Sequence, residues 1–163
     1  MNGVHGLVIL RRIMCQSMQI IEAKKYINVV ACVLKKNDKI LVASRPETKN
    51  FSGFFEFPGG KVEKDECLIE ALDREIDEEL GIRLDFNKIY YLNHYRILEH
   101  KISLHFFLCL KWFGKIKNKE KQTLKWMLPN ELDNCNLLKS NTNFKIFLNN
   151  FIFPTTYRNY ITT

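Results

Sequence analysis

Glu75, Glu78 and Glu79 stand in the run Arg74-Glu75-Ile76-Asp77-Glu78-Glu79-Leu80-Gly81-Ile82. Seven residues separate that run from Glu66, and five more separate Glu66 from Gly60. Three carboxylates this close repel one another unless a cation is shared among them. Clustered carboxylate oxygens are hard donors, and the ion they suit is Mg²⁺, with Mn²⁺ as the alternative.

The spacing predicts that one helix carries all three. Cys67 to Leu80 has helical composition, with Asp65 as the expected N-cap and Gly81 as the C-terminal stop. At 100° per residue, Glu75, Glu78 and Glu79 fall within an arc of about 100°. Leu68, Leu72, Ile76 and Leu80 form an adjoining apolar stripe that should face the core, with Glu70, Asp73 and Asp77 on the solvent side. The glutamates then sit at the border of the buried face. Arg74 has a role beside them, because a guanidinium can hold a carboxylate in bidentate geometry and turn it toward a metal. Gly59 and Gly60 permit a tight turn that can present a main-chain carbonyl as a further ligand.

A glutamate-rich helix is more often a solvated face whose acids pair with lysines. The Gly-Gly start, the arginine inside the acidic cluster and the Gly81-Ile82 exit argue against that here. Seven fixed residue types at ~6% background frequency would coincide by chance roughly once in a billion starting positions.

The elements around this helix read as strands at Ile27 to Lys35 and Lys39 to Ser44, joined by a turn at Asn37-Asp38. A short strand from Phe54 to Phe57 leads into Pro58-Gly59-Gly60. Ile89 to Ile97 and Ile102 to Trp112 read as a long antiparallel pair, followed by a short strand from Thr123 to Leu128. Pro129 opens a helical turn, and Asn143 to Phe151 reads as a final amphipathic helix ended by Pro154. The alternation implies an α/β fold, a mixed sheet sandwiched between helices.

A chain of 163 residues with 46% hydrophobic content fits one core-forming domain. The net charge of +7 suits an anionic partner, or simply a lysine-rich solubilising surface. No basic run interleaved with aromatics suggests a nucleic-acid groove. Five cysteines without a Cys-x-x-Cys pair are expected to stay reduced in a cytoplasm. His94, His100 and His105 are expected in structural or surface roles, and no Ser-His-Asp or Cys-His pattern suggests a covalent nucleophile. Leu7 to Leu10, followed by Arg11-Arg12, is too short an apolar patch to span a bilayer. Residues 1–20 are read as an extension without assigned role, with Met14 and Met18 as alternative starts. Residues 21–153 are read as the catalytic domain and 154–163 as a tail.

The Gly60-to-Ile82 pattern resembles the Nudix box of hydrolases that cleave a nucleoside diphosphate linked to another group. From about Tyr26 to about Leu148 the chain is similar to the bacterial mutator-type (MutT) 8-oxo-dGTP diphosphatases. Glu56-Phe57-Pro58-Gly59-Gly60-Lys61 matches that group's approach to the box, and Arg45, Trp112, Glu120, Trp126 and Asn141 stand at its usual intervals. The resemblance implies a Nudix fold. It implies metal ligation by the Gly59 carbonyl and by Glu75, Glu78, Glu79 and Glu120, with Glu75 or Glu120 as general base and Arg74 as their support. It also implies nucleotide contacts from Arg45, Asn50, Glu56, Phe57, Pro58, Gly59 and Asn141, the last reading the edge of an oxidised guanine with an amide that both donates and accepts. The group commonly has a histidine at Asn50 and frames its asparagine with proline and alanine, where this chain has Ser140 and Thr142.

The expected activity is Mg²⁺-dependent conversion of 8-oxo-dGTP and water to 8-oxo-dGMP and pyrophosphate, by a cytoplasmic monomer without membrane or stable nucleic-acid partners. Two alternatives stand beside it. One is Nudix hydrolysis of another substrate, such as a different dNTP, a dinucleotide or an RNA 5′ end. The other is a non-catalytic nucleotide-binding module, against which the retained trio of repelling glutamates argues.

Overall fold

A computed structural model of the chain describes residues 26–47 and 50–148. The expected extension at 1–20, the tail at 154–163 and the helix stop at Pro154 lie outside the described residues.

Strand β1 (Ile27–Lys36) is the spine of the molecule. Its alternating residues are buried on both faces: Val30, Cys32 and Leu34 enter one hydrophobic cluster, and Ala31 and Val33 the other. A strand buried on both sides must be central, and β1 has partners along both edges. Strand β7 (Ile102–Cys109) runs parallel to it in unbroken register from Ile27 opposite Ile102 to Leu34 opposite Cys109. The other edge is divided. Near its start β1 pairs antiparallel with β4 (Gly59–Lys61), and near its end with β2 (Lys39–Ser44). The β1–β2 turn forms as expected, with Asn37 in the left-handed region at φ 55°.

Strands β3 (Phe55–Glu56) and β9 (Leu124–Met127) add to β2, and β6 (Ile89–Ile97) adds antiparallel to β7. The result is a mixed sheet in the order β3-β2-β1-β7-β6, with β4 and β9 joined to β1 and β2. Helix α1 (Leu68–Leu80) packs on one face, burying Leu72, Ile76 and Leu80 fully. Helix α2 (Lys139–Phe147) lies on the other, where Phe144 stacks on Phe106 with ring centroids 4.1 Å apart. The α/β sandwich expected from the element pattern is the fold observed. No helix of the described residues is long and apolar enough to cross a membrane.

Several local expectations need correction. Asp65 does not cap α1. It occupies a left-handed turn at φ 62°, and Cys67 is the N-cap residue, its N–H accepted by the Glu70 carboxylate at 3.2 Å. Asp73 is not on a solvent face but buried. After Gly81 the chain turns back over the helix as β5 (Arg83–Leu84), a strand absent from the sequence reading. The Asp73 carboxylate there accepts the Leu84 N–H at 3.0 Å and pairs with Arg83. Strand β7 stops at Cys109, because Trp112–Phe113 forms a separate strand, β8, paired with β5. Helix α2 begins at Lys139 rather than Asn143: burial of Phe144 and Leu148 outweighs the weak helix propensity of its polar first turn. Among the described residues, Cys32, Cys109 and Cys135 are free thiols.

Candidate active site

Two glycines bring the start of the box against the helix. Gly59 has φ 147°, and a Cβ there would collide with the carbonyl of Val30 on the neighbouring strand. A Cβ on Gly60 would overlap the Glu75 carboxyl group. Gly59 lets the chain pass this close to the β1 backbone, and Gly60 leaves room for the Glu75 carboxyl group. This passage directs the Gly59 N–H at the Glu79 carboxylate, 3.2 Å away.

Glu79 is 6% exposed. Burial pushes its carboxyl up to about 8, the negative charge of Glu120 adds to the rise, the Gly59 N–H opposes it, and Glu56 and Glu75 contribute smaller increments in the upward direction. Four carboxylates from β3, α1 and the loop before β9 therefore share one electrostatic environment. The crowding is what a divalent cation relieves, and the donors are all hard oxygens. The residues thus fit Mg²⁺ or Mn²⁺.

Arg74 organises the outer half of the cluster. Its Nε and Nη2 grip Glu66 in a bidentate pair at 2.8 and 2.9 Å. Nη1 donates to Glu75 at 2.9 Å and to Glu78 at 3.2 Å, and Nη2 reaches the Lys61 carbonyl at 2.9 Å. These bonds hold Glu66 below the usual carboxylate range, the Arg74 hydrogen bond being the largest cause, and they raise the Arg74 pKa further. The bidentate partner foreseen for Arg74 is Glu66, a box position to which sequence reasoning gave no chemistry. Glu75 and Glu78 are turned toward Arg74, and among the described residues no three carboxylates already converge as a ligand set. An open cavity of about 410 Å³ borders Arg74, Glu66 and Glu78 on the outer side of the helix, away from Glu79.

The remaining site residues fall into two groups. Arg45 donates to Glu56 at 2.6 Å and, through Nε, to the backbone carbonyl of Asn50 at 2.7 Å. A strong charge-assisted bond thus ties the loop after β2 to β3, and it offsets part of the charge at Glu56. The Phe57 ring is buried in the core against Phe106 and Phe144, so this residue faces the site with its backbone. Its N–H donates to Oδ1 of Asn141 at 3.2 Å. The bond orients the asparagine amide, because an N–H can only donate. Nδ2 of Asn141, 3% exposed, donates to the Ser140 hydroxyl at 3.1 Å. The Pro58 carbonyl accepts the Cys32 N–H at 2.8 Å. His105 serves structure as expected, hydrogen-bonded to Tyr91 and Asn28.

Residues 24–150 match the NUDIX domain. The chain belongs to the Nudix family. It is 34% identical to an 8-oxo-dGTP diphosphatase of Buchnera aphidicola subsp. Schizaphis graminum, over 79% of this chain and 98% of the relative. It is 40% identical to a CTP pyrophosphohydrolase of Escherichia coli K12, over 66% of this chain and 79% of the relative. Among solved structures, a MutT from work on the Aliivibrio salmonicida and Vibrio cholerae proteins superposes with a TM-score of 0.67. It is 29% identical and covers 76% of this chain and 97% of that one. Nudix membership makes the chain a hydrolase that works with a divalent metal ion.

Proposed function

We propose that this Nudix hydrolase is an Mg²⁺-dependent 8-oxo-dGTP diphosphatase that removes the oxidised nucleotide before it enters DNA. The observation carrying this reading is the buried Asn141 amide, held by the Phe57 N–H. Among the described residues that geometry leaves one N–H and one lone pair of the amide for a base edge. The Buchnera relative supports the same substrate.

In this reading Glu75, Glu78, Glu79, Glu120 and the Gly59 carbonyl hold the metal, which neutralises the polyphosphate and acidifies a water when bound. Arg74 releases Glu75 and Glu78 to that task while keeping Glu66. Glu75, or Glu120 in its place, takes the proton of the attacking water as the new phosphorus–oxygen bond forms and pyrophosphate leaves. Arg45, Asn50, Glu56, Pro58 and the residue 57 backbone border the nucleotide. Residues 21–153 form the catalytic unit, monomeric and cytoplasmic, acting on free nucleotides and not on nucleic acid.

A second reading, CTP hydrolysis, is favoured by the 40% identity to the E. coli CTP pyrophosphohydrolase. The test is kcat/KM for pyrophosphate release from 8-oxo-dGTP, dGTP, CTP and dCTP, in wild type and Asn141→Ala. Preference for 8-oxo-dGTP over dGTP, reduced by about 5- to 150-fold in the variant with Mn²⁺ affinity unchanged, is expected. Preference for CTP establishes the second reading, and no turnover of any nucleotide leaves a binding module.

A further inference from the structure

Glu120 lies in the stretch Lys117-Asn118-Lys119-Glu120-Lys121, an exposed loop by composition. What fixes it is the end of α1. The last four carbonyls of a helix have no partner within it, and α1 has no basic residue in its last turn. The loop supplies what is missing. The Lys117 N–H donates to the Leu80 carbonyl at 2.8 Å, and the Lys119 N–H to the Glu79 carbonyl at 3.1 Å. The Lys119 ammonium, 42 residues away in sequence, donates to the Asp77 carbonyl at 2.8 Å, which the Gly81 N–H also reaches at 2.9 Å, and to the Asp77 carboxylate at 3.2 Å.

Gly81 makes room for this arm. A Cβ there would press on Lys119 Cε, and the Lys117 side chain lies next nearest. The neck of the loop is closed independently: Asn118 and Gln122 exchange hydrogen bonds, and the buried Gln122 amide donates to the Glu120 carboxylate at 3.2 Å.

We propose that Lys119 is a positioning residue whose ammonium clamps the loop of residues 117–122 onto the C-terminal turn of α1 and thereby fixes Glu120 beside Glu79. A half-exposed lysine–aspartate pair alone would contribute little. The ammonium holds instead to the Asp77 main-chain carbonyl, whose position the helix fixes, and it reinforces the two backbone bonds from Lys117 and Lys119. The clamp depends on the reading that Glu120 serves the metal centre.

The test measures Mn²⁺ affinity by electron paramagnetic resonance, without nucleotide, in wild type, Lys119→Met, Glu120→Gln and the double variant. Each single variant should bind about 10-fold more weakly. The double variant should be no weaker than Glu120→Gln, and Lys119→Arg should restore binding. Loss of a nearby positive charge would by itself tighten Mn²⁺ binding, so weakening identifies positioning. Unchanged affinity in Lys119→Met, even with a lowered Tm, or additive losses in the double variant, overturns the clamp alone. Unchanged affinity in Glu120→Gln overturns the reading of Glu120, and the clamp with it.

Discussion

A Cβ atom on Gly60 would occupy the position of the Glu75 carboxyl group. The glycine is thus the floor on which a proposed metal ligand and base rests. Gly60→Ala should displace the end of a flexible side chain and leave the sheet intact. Turnover is expected to fall about 10- to 100-fold, with circular dichroism and Tm close to wild type.

Glu79→Gln should abolish most turnover, on the order of 10²-fold or more, because it removes charge from the centre of the cluster. The same variant should alter stability in the opposite sense. The wild-type carboxyl is raised from 4.5 to about 8, so its destabilising effect is absent below 4.5 and complete above about 8. Thermal melts of the metal-free protein should show wild type losing stability across that window while Glu79→Gln does not. Adding Mg²⁺ should restore wild type only.

Asp73→Ala removes the acceptor for the buried Leu84 N–H and the partner of Arg83. A cost of roughly 1–3 kcal/mol is expected, seen as a lower urea midpoint at unchanged slope. Turnover per folded molecule should hold, since Asp73 faces β5 and not Glu79.

Asp73 also marks where the sequence stops being legible. Helical period put the three glutamates on one helix and the stripe of Leu72, Ile76 and Leu80 in the core, because those positions depend on local geometry. It sent Asp73 to solvent because nothing local announces that two residues, Arg83 and Leu84, will fold back as a strand. Gly59, Gly60 and Gly81 were readable as turn formers, but what they avoid touching (Val30, Glu75 and Lys119) depends on tertiary contacts. The same holds for Phe57, whose ring went to the core while its N–H met Asn141 from 84 residues away. Glu66 carries a local signal that sequence reasoning missed, since Arg74, eight residues on, needs a carboxylate partner.

His105 gives an acid limit. Burial first, and the stacked His94 second, lower it from 6.5 to about 4. The neutral ring's contribution to stability is complete above 6.5 and is lost as pH falls toward about 4. Melts of His105→Gln, whose amide can keep the bonds to Tyr91 and Asn28, should be flatter than wild type across that range.

The parallel pairing of β1 with β7 also dictates an order of assembly. Cys32 and Cys109, 77 residues apart, meet across these strands, and the whole box lies in the chain between them. Closing so long a loop costs entropy before the contact is gained. During synthesis α1 can therefore emerge from the ribosome and coil early, yet Glu79 cannot meet Lys119 and Glu120 until the chain beyond β7 has been made. A nascent chain arrested before residue 102 should hold Glu79 in water.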